Sequence, residues 1–291
     1  MAHLGKRAIA VRLASPRGFC AGVERAIRTV EEALAAHGAP VYVRHEIVHN
    51  AHVVGRLKLM GAVFIEDLAE APDGRPLILS AHGAPRAVHE AARARALTTI
   101  DATCPLVQKV HAETRRHVAK GRHVILIGHA GHPEVEGTMG QAPAGAVTLV
   151  QTREAAEALR APDGPLAYVT QTTLSVDDAA VIVAVLKARF PSIEGPRIAD
   201  ICYATTNRQA AVKRIAPGAD FVMIIGSANS SNSRRLVDTA LAAGAKAAGL
   251  VDDPDRCDLG ALDKVNILGV SAGASAPEIL VERLLARLAE L

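Results

Sequence analysis

Arg17-Gly18-Phe19-Cys20-Ala21-Gly22-Val23 joins two stretches of different hydrophobic period. Before it, Ala8 to Leu13 is a short apolar run with the length of a buried strand, closed by the turn residues Ser15-Pro16-Arg17-Gly18. After it, Val23, Ala26, Ile27, Val30, Ala33 and Leu34 recur at helical spacing. Cys20 therefore stands at a strand-to-helix elbow, where the first N–H groups of a helix favour a thiolate. A lone cysteine in such a place reads as readily as a small buried hydrophobe. This one has counterparts.

Cys104 follows the strand-like Thr98-Thr99-Ile100 and opens a helix over 107–118. Cys202 follows Ile198-Ala199-Asp200-Ile201, expected as a strand, and precedes a helix over 207–215. Twenty-five residues separate Cys20 from His45, Cys104 from His129 and Cys202 from Ser227, each time at the end of a strand. Second strands follow at 62–66, 146–150 and 248–252. Third strands end in small polar loops at Ser80–Gly83, Gln171–Thr173 and Ser271–Ser275. This is a repeat at domain scale.

Alternating strands and helices make each repeat an α/β unit with a mostly parallel sheet, and ligands gather at the carboxyl ends of such strands. The expected lobes are 22–103, 104–200, and 201–291 completed by 1–21, with the last helix over 277–291. Facing one axis, three such edges bring three cysteines and six polar loops together.

Composition narrows the function. The 291 residues hold 2% aromatics and no Trp, and the net charge of +3 is interspersed, which disfavours base-stacking platforms, basic nucleic-acid stripes and anionic membrane surfaces. No apolar run approaches the roughly 20 residues that span a bilayer. The N-terminal run is interrupted by Arg12 and has no small-residue cleavage pattern, so a cytoplasmic chain is expected. Four cysteines without a CxxC pair, in a reducing compartment, point to metal or catalytic roles rather than disulfides.

Three thiolates on one axis suit a metal site. Zinc wants a fourth protein ligand and local spacing, whereas an iron–sulfur cluster on three cysteines leaves one iron open, so the cluster leads and zinc stays open behind it. Cys257, in Asp252-Asp253-Pro254-Asp255-Arg256-Cys257-Asp258, follows no strand and reads as an incidental thiol.

The first loops carry His45, His49 and Asn50, then His129, His132, Glu134 and Glu136, then Ser227 and Ser230–Ser233. The other set carries His82, Gln171, Thr172, Thr173, Ser271 and Ser275. Imidazoles, hydroxyls and amides make a donor-rich cup for a multiply charged anion such as a diphosphate. Lys and Arg are scarce there, so imidazolium would balance the charge. Glu134, next to His132, is the natural general acid, with Thr172 or Thr173 as relay and Glu136 as competitor. Ser230–Ser233 also reads as a helix N-cap.

The sequence resembles the 4-hydroxy-3-methylbut-2-enyl diphosphate reductase family. The stretches that carry the resemblance are PRGFCAGVERAI at 16–27, YVRHEIVHN at 42–50, SAHGAP at 80–85, DATCPLVQKVH at 101–111 and IGHAGHPEVEGTMGQ at 127–141. TQTTLSVDD at 170–178, DICYATTNRQ at 200–209, SSNSRRL at 230–236 and AGASAPEIL at 272–280 continue it. No functional position departs from the pattern; a few extra N-terminal residues and Cys257 are the additions. The resemblance implies a trefoil of three α/β lobes around a central 4Fe–4S cluster, with Cys20, Cys104 and Cys202 as its ligands. It implies substrate binding by His49, His82, His132, Thr172, Ser230, Ser231, Asn232 and Ser275, with Glu134 as proton donor. The implied reaction is a two-electron, two-proton reductive dehydroxylation giving isopentenyl and dimethylallyl diphosphate, with reduced ferredoxin or flavodoxin as donor. Two rivals remain from the residues: a cluster-based redox or iron sensor without substrate, and a zinc hydrolase built on His132 and Glu134.

Overall fold

The computed structural model describes residues 9–290. Ala8, the other residues before Ile9 and Leu291 lie outside the described residues, and with them the ends of the expected first strand and last helix. The described chain forms two compact units. One comprises 9–20, 49–53 and 203–290; the other comprises Ala21–Val48 and Val54–Cys202.

The same winding occurs three times along the chain. The first strand, β1 (Ala10–Leu13), leads to α1 (Ala21–His37), β2 (Val41–Arg44), α2 (Ala51–Leu59) and β3 (Ala62–Ile65). β4 (Leu77–Leu79), α3 (Arg86–Ala94) and β5 (Thr99–Asp101) complete a parallel sheet of order β3-β2-β4-β5. The second pass runs α4 (Pro105–Ala119), β6 (His123–Ile127), α5 (Pro133–Met139), β7 (Val147–Val150), α6 (Arg153–Ala158), β8 (Leu166–Thr170) and α7 (Val176–Arg189), with parallel order β7-β6-β8. The third runs α8 (Tyr203–Ile215), β9 (Phe221–Ile225), α9 (Ser231–Ala242), β10 (Ala248–Val251), β11 (Ile267–Ala272) and α10 (Glu278–Ala289). Its sheet has the order β1-β11-β9-β10, all parallel. In each sheet the strand that follows the cysteine-opened helix, β2, β6 or β9, lies between the next two of its repeat, β3 and β4, β7 and β8, or β10 and β11.

The central strands read as unbroken apolar runs because helices cover both faces of a parallel sheet. Ile125 and Ile127 face a cluster with Leu166, Tyr168, Ile182 and Leu186, while Val124 and Leu126 pack with Val110 and Val135 on the opposite face. β9 divides in the same way: Met223 and Ile225 pack toward Leu280 and Leu284, and Val222 and Ile224 toward Val212 and Leu236. β1 is exposed along its length, as an edge strand can be. Its Arg12 caps the end of α8 by donating to Pro217 O at 2.6 Å. Among the described residues no helix is long and apolar enough to cross a membrane.

One expected element is absent. Residues 198–201 form no strand beside β8. The edge of that sheet carries an isolated bridge between Ala167 and Glu194. Gly195 passes so close to the Tyr168 ring that a Cβ would sit 2.5 Å from its hydroxyl oxygen, and Pro196 has no N–H to donate. The Asp200 side chain takes over the lost ladder bond, accepting from Thr170 N–H at 2.9 Å.

Candidate active site

The candidate side chains stand where strands end and helices begin. In the larger unit, β6 runs into Gly128 and His129, and α5 starts at Pro133, whose missing N–H costs nothing at that position. His132 caps α5: its Nδ1 accepts from Glu134 N–H at 3.1 Å, which leaves Nε2 to carry the proton of the neutral ring. Glu134 lies in the first turn, 2% exposed, whereas Glu136 faces solvent. That difference separates the two candidate acids.

Glu134 is held from the loop after β8. Thr172 N–H donates to its Oε1 at 2.6 Å and Thr172 Oγ1 to its Oε2 at 2.9 Å. Burial pushes the Glu134 carboxyl up to about 7, against the two Thr172 bonds that lower it, with the Asp200 charge adding to the rise. Gln171 braces the same loop: its Oε1 accepts from His129 N–H at 3.0 Å and its Nε2 donates to Thr173 Oγ1 at 2.9 Å. Thr173 is thus tied to Gln171, and the hydroxyl on Glu134 is that of Thr172.

The loop after β4 brings His82 to this group. His82 meets His132 edge to face, ring centroids 5.7 Å apart at 87°, and its Nδ1 lies 3.3 Å from Ser80 Oγ. Close backbone approach makes this possible. A Cβ on Gly140, at the end of α5, would stand 2.4 Å from Pro85 Cβ, and one on Gly83 would stand 2.5 Å from His111 Cε1.

The smaller unit holds a second set. Ser230 caps α9, accepting from Ser233 N–H at 3.3 Å, as the alternative reading of that stretch expected. Ser231 and Asn232 are buried, and neither amide atom of Asn232 has a hydrogen-bond partner within the described residues. A buried unpaired amide is costly and suits a polar ligand. Gly273, after β11, lets this turn approach: a Cβ there would come within 2.1 Å of Ser233 Oγ and 3.4 Å of Asn232 Nδ2. Ser275 Oγ donates to His49 O at 2.8 Å, which fixes the His49 backbone beside the same loop.

The cysteines repeat one geometry. Cys20 N–H donates to Ala274 O at 3.2 Å, Cys104 N–H to Ala81 O at 3.0 Å and Cys202 N–H to Thr172 O at 3.1 Å. Each acceptor lies in a loop after a third strand, each cysteine directly precedes a helix, and all are half-buried and outside any disulfide. This donor set fits thiolate ligation. Cys257 is different: its thiol donates to Pro254 O at 3.2 Å and accepts from Arg287 Nη1 at 3.3 Å. Among the described residues no three His, Cys, Asp or Glu side chains are grouped to hold a single metal ion.

Sequence reasoning passed over Asp200. Its buried carboxylate accepts from Thr170 N–H and from Lys109 Nζ, the latter at 2.9 Å, and its charge bears on Glu134. The available signal was an acid inside an otherwise apolar run two residues before a cysteine.

The family model described as LytB protein matches residues 11–289. The chain belongs to the LytB protein family. Among its LytB relatives, the 4-hydroxy-3-methylbut-2-enyl diphosphate reductase of Phenylobacterium zucineum is 60% identical over 283 residues, covering 97% of this chain and 90% of that protein. The enzyme of the same name from Hyphomonas neptunium is 59% identical over 278 residues, 95% of this chain and 88% of that one. The solved E-1-hydroxy-2-methyl-but-2-enyl-4-diphosphate reductase of Plasmodium falciparum superposes with a TM-score of 0.93 at 42% identity, over 97% of this chain and 88% of that one. The LytB fold is therefore α/β, with the three parallel sheets described above.

Proposed function

We propose that this LytB-family chain is a 4-hydroxy-3-methylbut-2-enyl diphosphate reductase acting in the cytoplasm. The allylic C–O bond breaks and two electrons enter the carbon skeleton. One proton leaves with the hydroxyl as water and a second goes to carbon, giving isopentenyl or dimethylallyl diphosphate. The observation that carries the reading is the Glu134–Thr172 pair: a buried carboxyl lifted to about 7 keeps a transferable proton at neutral pH. Without that proton the leaving group would be hydroxide.

Thr172 Oγ1 donates to Glu134 Oε2 when the carboxyl is ionised and can accept its proton when it is not, so the hydroxyl relays or orients the transfer. His132, with Nδ1 engaged by its own helix, offers Nε2–H as a donor, and His82 stands beside it. In the other unit, Ser230, Ser231, Asn232 and His49 are donors suited to phosphate oxygens, Ser275 joins them once its hydroxyl turns from His49 O, and the unsatisfied Asn232 amide supports their assignment to the diphosphate. Fixing the substrate at its diphosphate end contributes several kcal/mol as positioning.

Cys20, Cys104 and Cys202 are the ligands in this reading, for a 4Fe–4S cluster with one iron free of protein. When bound, the cluster supplies the electrons and Lewis acidity at the hydroxyl. A reduced ferredoxin or flavodoxin is the donor in this reading. Lobes 22–103, 104–200, and 201–291 with 1–21 remain our division of the repeat.

The test is anaerobic reconstitution with iron and sulfide, chemical reduction, and incubation with 4-hydroxy-3-methylbut-2-enyl diphosphate. Formation of both five-carbon diphosphates is expected. A reconstituted, reduced protein that leaves the substrate unchanged would rule the reading out.

A further inference from the structure

Each motif that opens on a cysteine also carries a cation one turn later, and each cation reaches the backbone ahead of the next cysteine. Arg25 lies five residues after Cys20, Lys109 five after Cys104 and Arg208 six after Cys202. Arg25 Nη1, on α1, donates to Thr103 O at 2.9 Å, the carbonyl directly before Cys104. Lys109 Nζ, on α4, donates to Ile198 O, to Ala199 O at 3.2 Å and to Asp200 Oδ1 at 2.9 Å, on the segment leading into Cys202. Arg208, on α8, donates from Nε to Gly18 O at 2.8 Å, and from Nη2 to Gly18 O at 2.5 Å and Phe19 O at 2.7 Å, directly before Cys20.

We propose that Arg25, Lys109 and Arg208 are positioning residues acting in a cycle, each anchoring the turn of the next cysteine from the helix that the previous cysteine opens. The proposal deepens the reading of the three cysteines as ligands and rests on it. Several features support it.

The donors are charged and their acceptors are chiefly backbone carbonyls, so the bonds are charge-assisted and fix peptide orientation. A cysteine turn is a short irregular segment with few ladder bonds of its own. In each the described N–H bond of the cysteine is to a loop carbonyl, and carbonyls ahead of it accept from the cation. Residues 198–201 make the point, since they form no strand and Lys109 takes two of their carbonyls and the Asp200 carboxylate. Arg208 is 5% exposed and also donates to Ala204 O at 3.0 Å, a geometry that suits a guanidinium fork. Lys109 is partly buried, its side chain 24% exposed, and Arg25 is exposed. The anchoring should therefore weaken in that order, since exposed bonds to charge are worth less.

The direction of the cycle makes the proposal specific. A cation that merely supported its own helix would act on the cysteine opening that helix. One that anchors the next turn acts on a cysteine 79 or 93 residues away in sequence, or on the first cysteine from the last helix of the cycle.

Hydrogen–deuterium exchange of the full-length, metal-free chain reads this directly, in peptides covering 17–20, 101–104 and 198–202. Arg208→Met should raise exchange before Cys20 by about tenfold or more, as loss of a buried charge-assisted bond requires. Lys109→Met should do so before Cys202 by a smaller factor. Arg25→Met should act before Cys104, by less than about fivefold. Lys109→Arg, which keeps charge and reach, should retain protection at 198–202. A rise at the cysteine of the variant's own helix, an equal rise in all three segments, no rise in any, or a Lys109→Arg variant as unprotected as Lys109→Met would overturn the proposal. Iron content of Cys→Ser variants after reconstitution tests the ligand reading separately: full iron there would remove that reading while the exchange pattern stood.

Discussion

Thr172 grips Glu134 by both carboxylate oxygens, through its N–H at 2.6 Å and its Oγ1 at 2.9 Å. These bonds oppose burial, which still carries the Glu134 carboxyl up to about 7. Thr172 O also accepts from Cys202 N–H at 3.1 Å, so the proposed acid and a proposed ligand hang on one residue.

Removing the Thr172 hydroxyl should therefore move a pH profile in a known direction. Thr172→Val keeps the backbone bond but loses one that stabilises the ionised carboxylate, so the Glu134 pKa rises further. The acid form then persists to higher pH. The alkaline limb of the rate profile should shift upward by about one pH unit, the size expected for a lost bond to a charged group, with a lower maximum if the hydroxyl relays the proton. A downward or absent shift would show that the hydroxyl does not hold the carboxylate.

Stability should carry the same signature. The Glu134 pKa is raised from its ordinary 4.5 to about 7 in the folded chain. Below about 4.5 the carboxyl is neutral in both states and costs nothing; as pH rises toward 7 the unfolded state ionises first and the folded state loses relative stability. Glu134→Gln escapes this loss. Its stability advantage over the parent should grow between pH 5 and pH 8 by up to roughly 3 kcal/mol. Denaturant midpoints at both pH values measure it, and a difference that does not change with pH would contradict the burial argument.

The cysteine assignment predicts a sharp contrast. Cys20→Ser, Cys104→Ser and Cys202→Ser should each lose most bound iron and the visible charge-transfer absorption after anaerobic reconstitution. Cys257→Ser should keep both, because its thiol is engaged with Pro254 and Arg287 and no α-helix begins directly after it. Equal iron loss in Cys257→Ser would end the threefold assignment.

Much of the fold was legible because the repeat was written in spacing. The offset of 25 residues from each cysteine to a strand end marks β2, β6 and β9, which became the central strands of three sheets wound alike. Residues 198–201 misled because an apolar run alone cannot show that Gly195 must pass against Tyr168 or that Pro196 breaks the ladder. At the site, the sequence presented Glu134 and Glu136 as competitors; only burial and the Thr172 bonds separate them. Asp200 and the three cations were passed over for a related reason. Their partners are distant in sequence and, the Lys109–Asp200 pair apart, are backbone groups, and no residue pattern records a carbonyl that needs a donor.

The most direct measurement is single-turnover kinetics of chemically reduced Glu134→Gln, which needs no protein electron donor. The variant keeps shape and hydrogen-bonding capacity but has no proton to deliver. The account predicts a fall in rate of about a hundred- to ten-thousand-fold, with substrate affinity little changed because the proposed diphosphate donors are untouched. A variant that binds weakly yet reacts at the parent rate once saturated would contradict it and make Glu134 a binding residue, with the acid elsewhere.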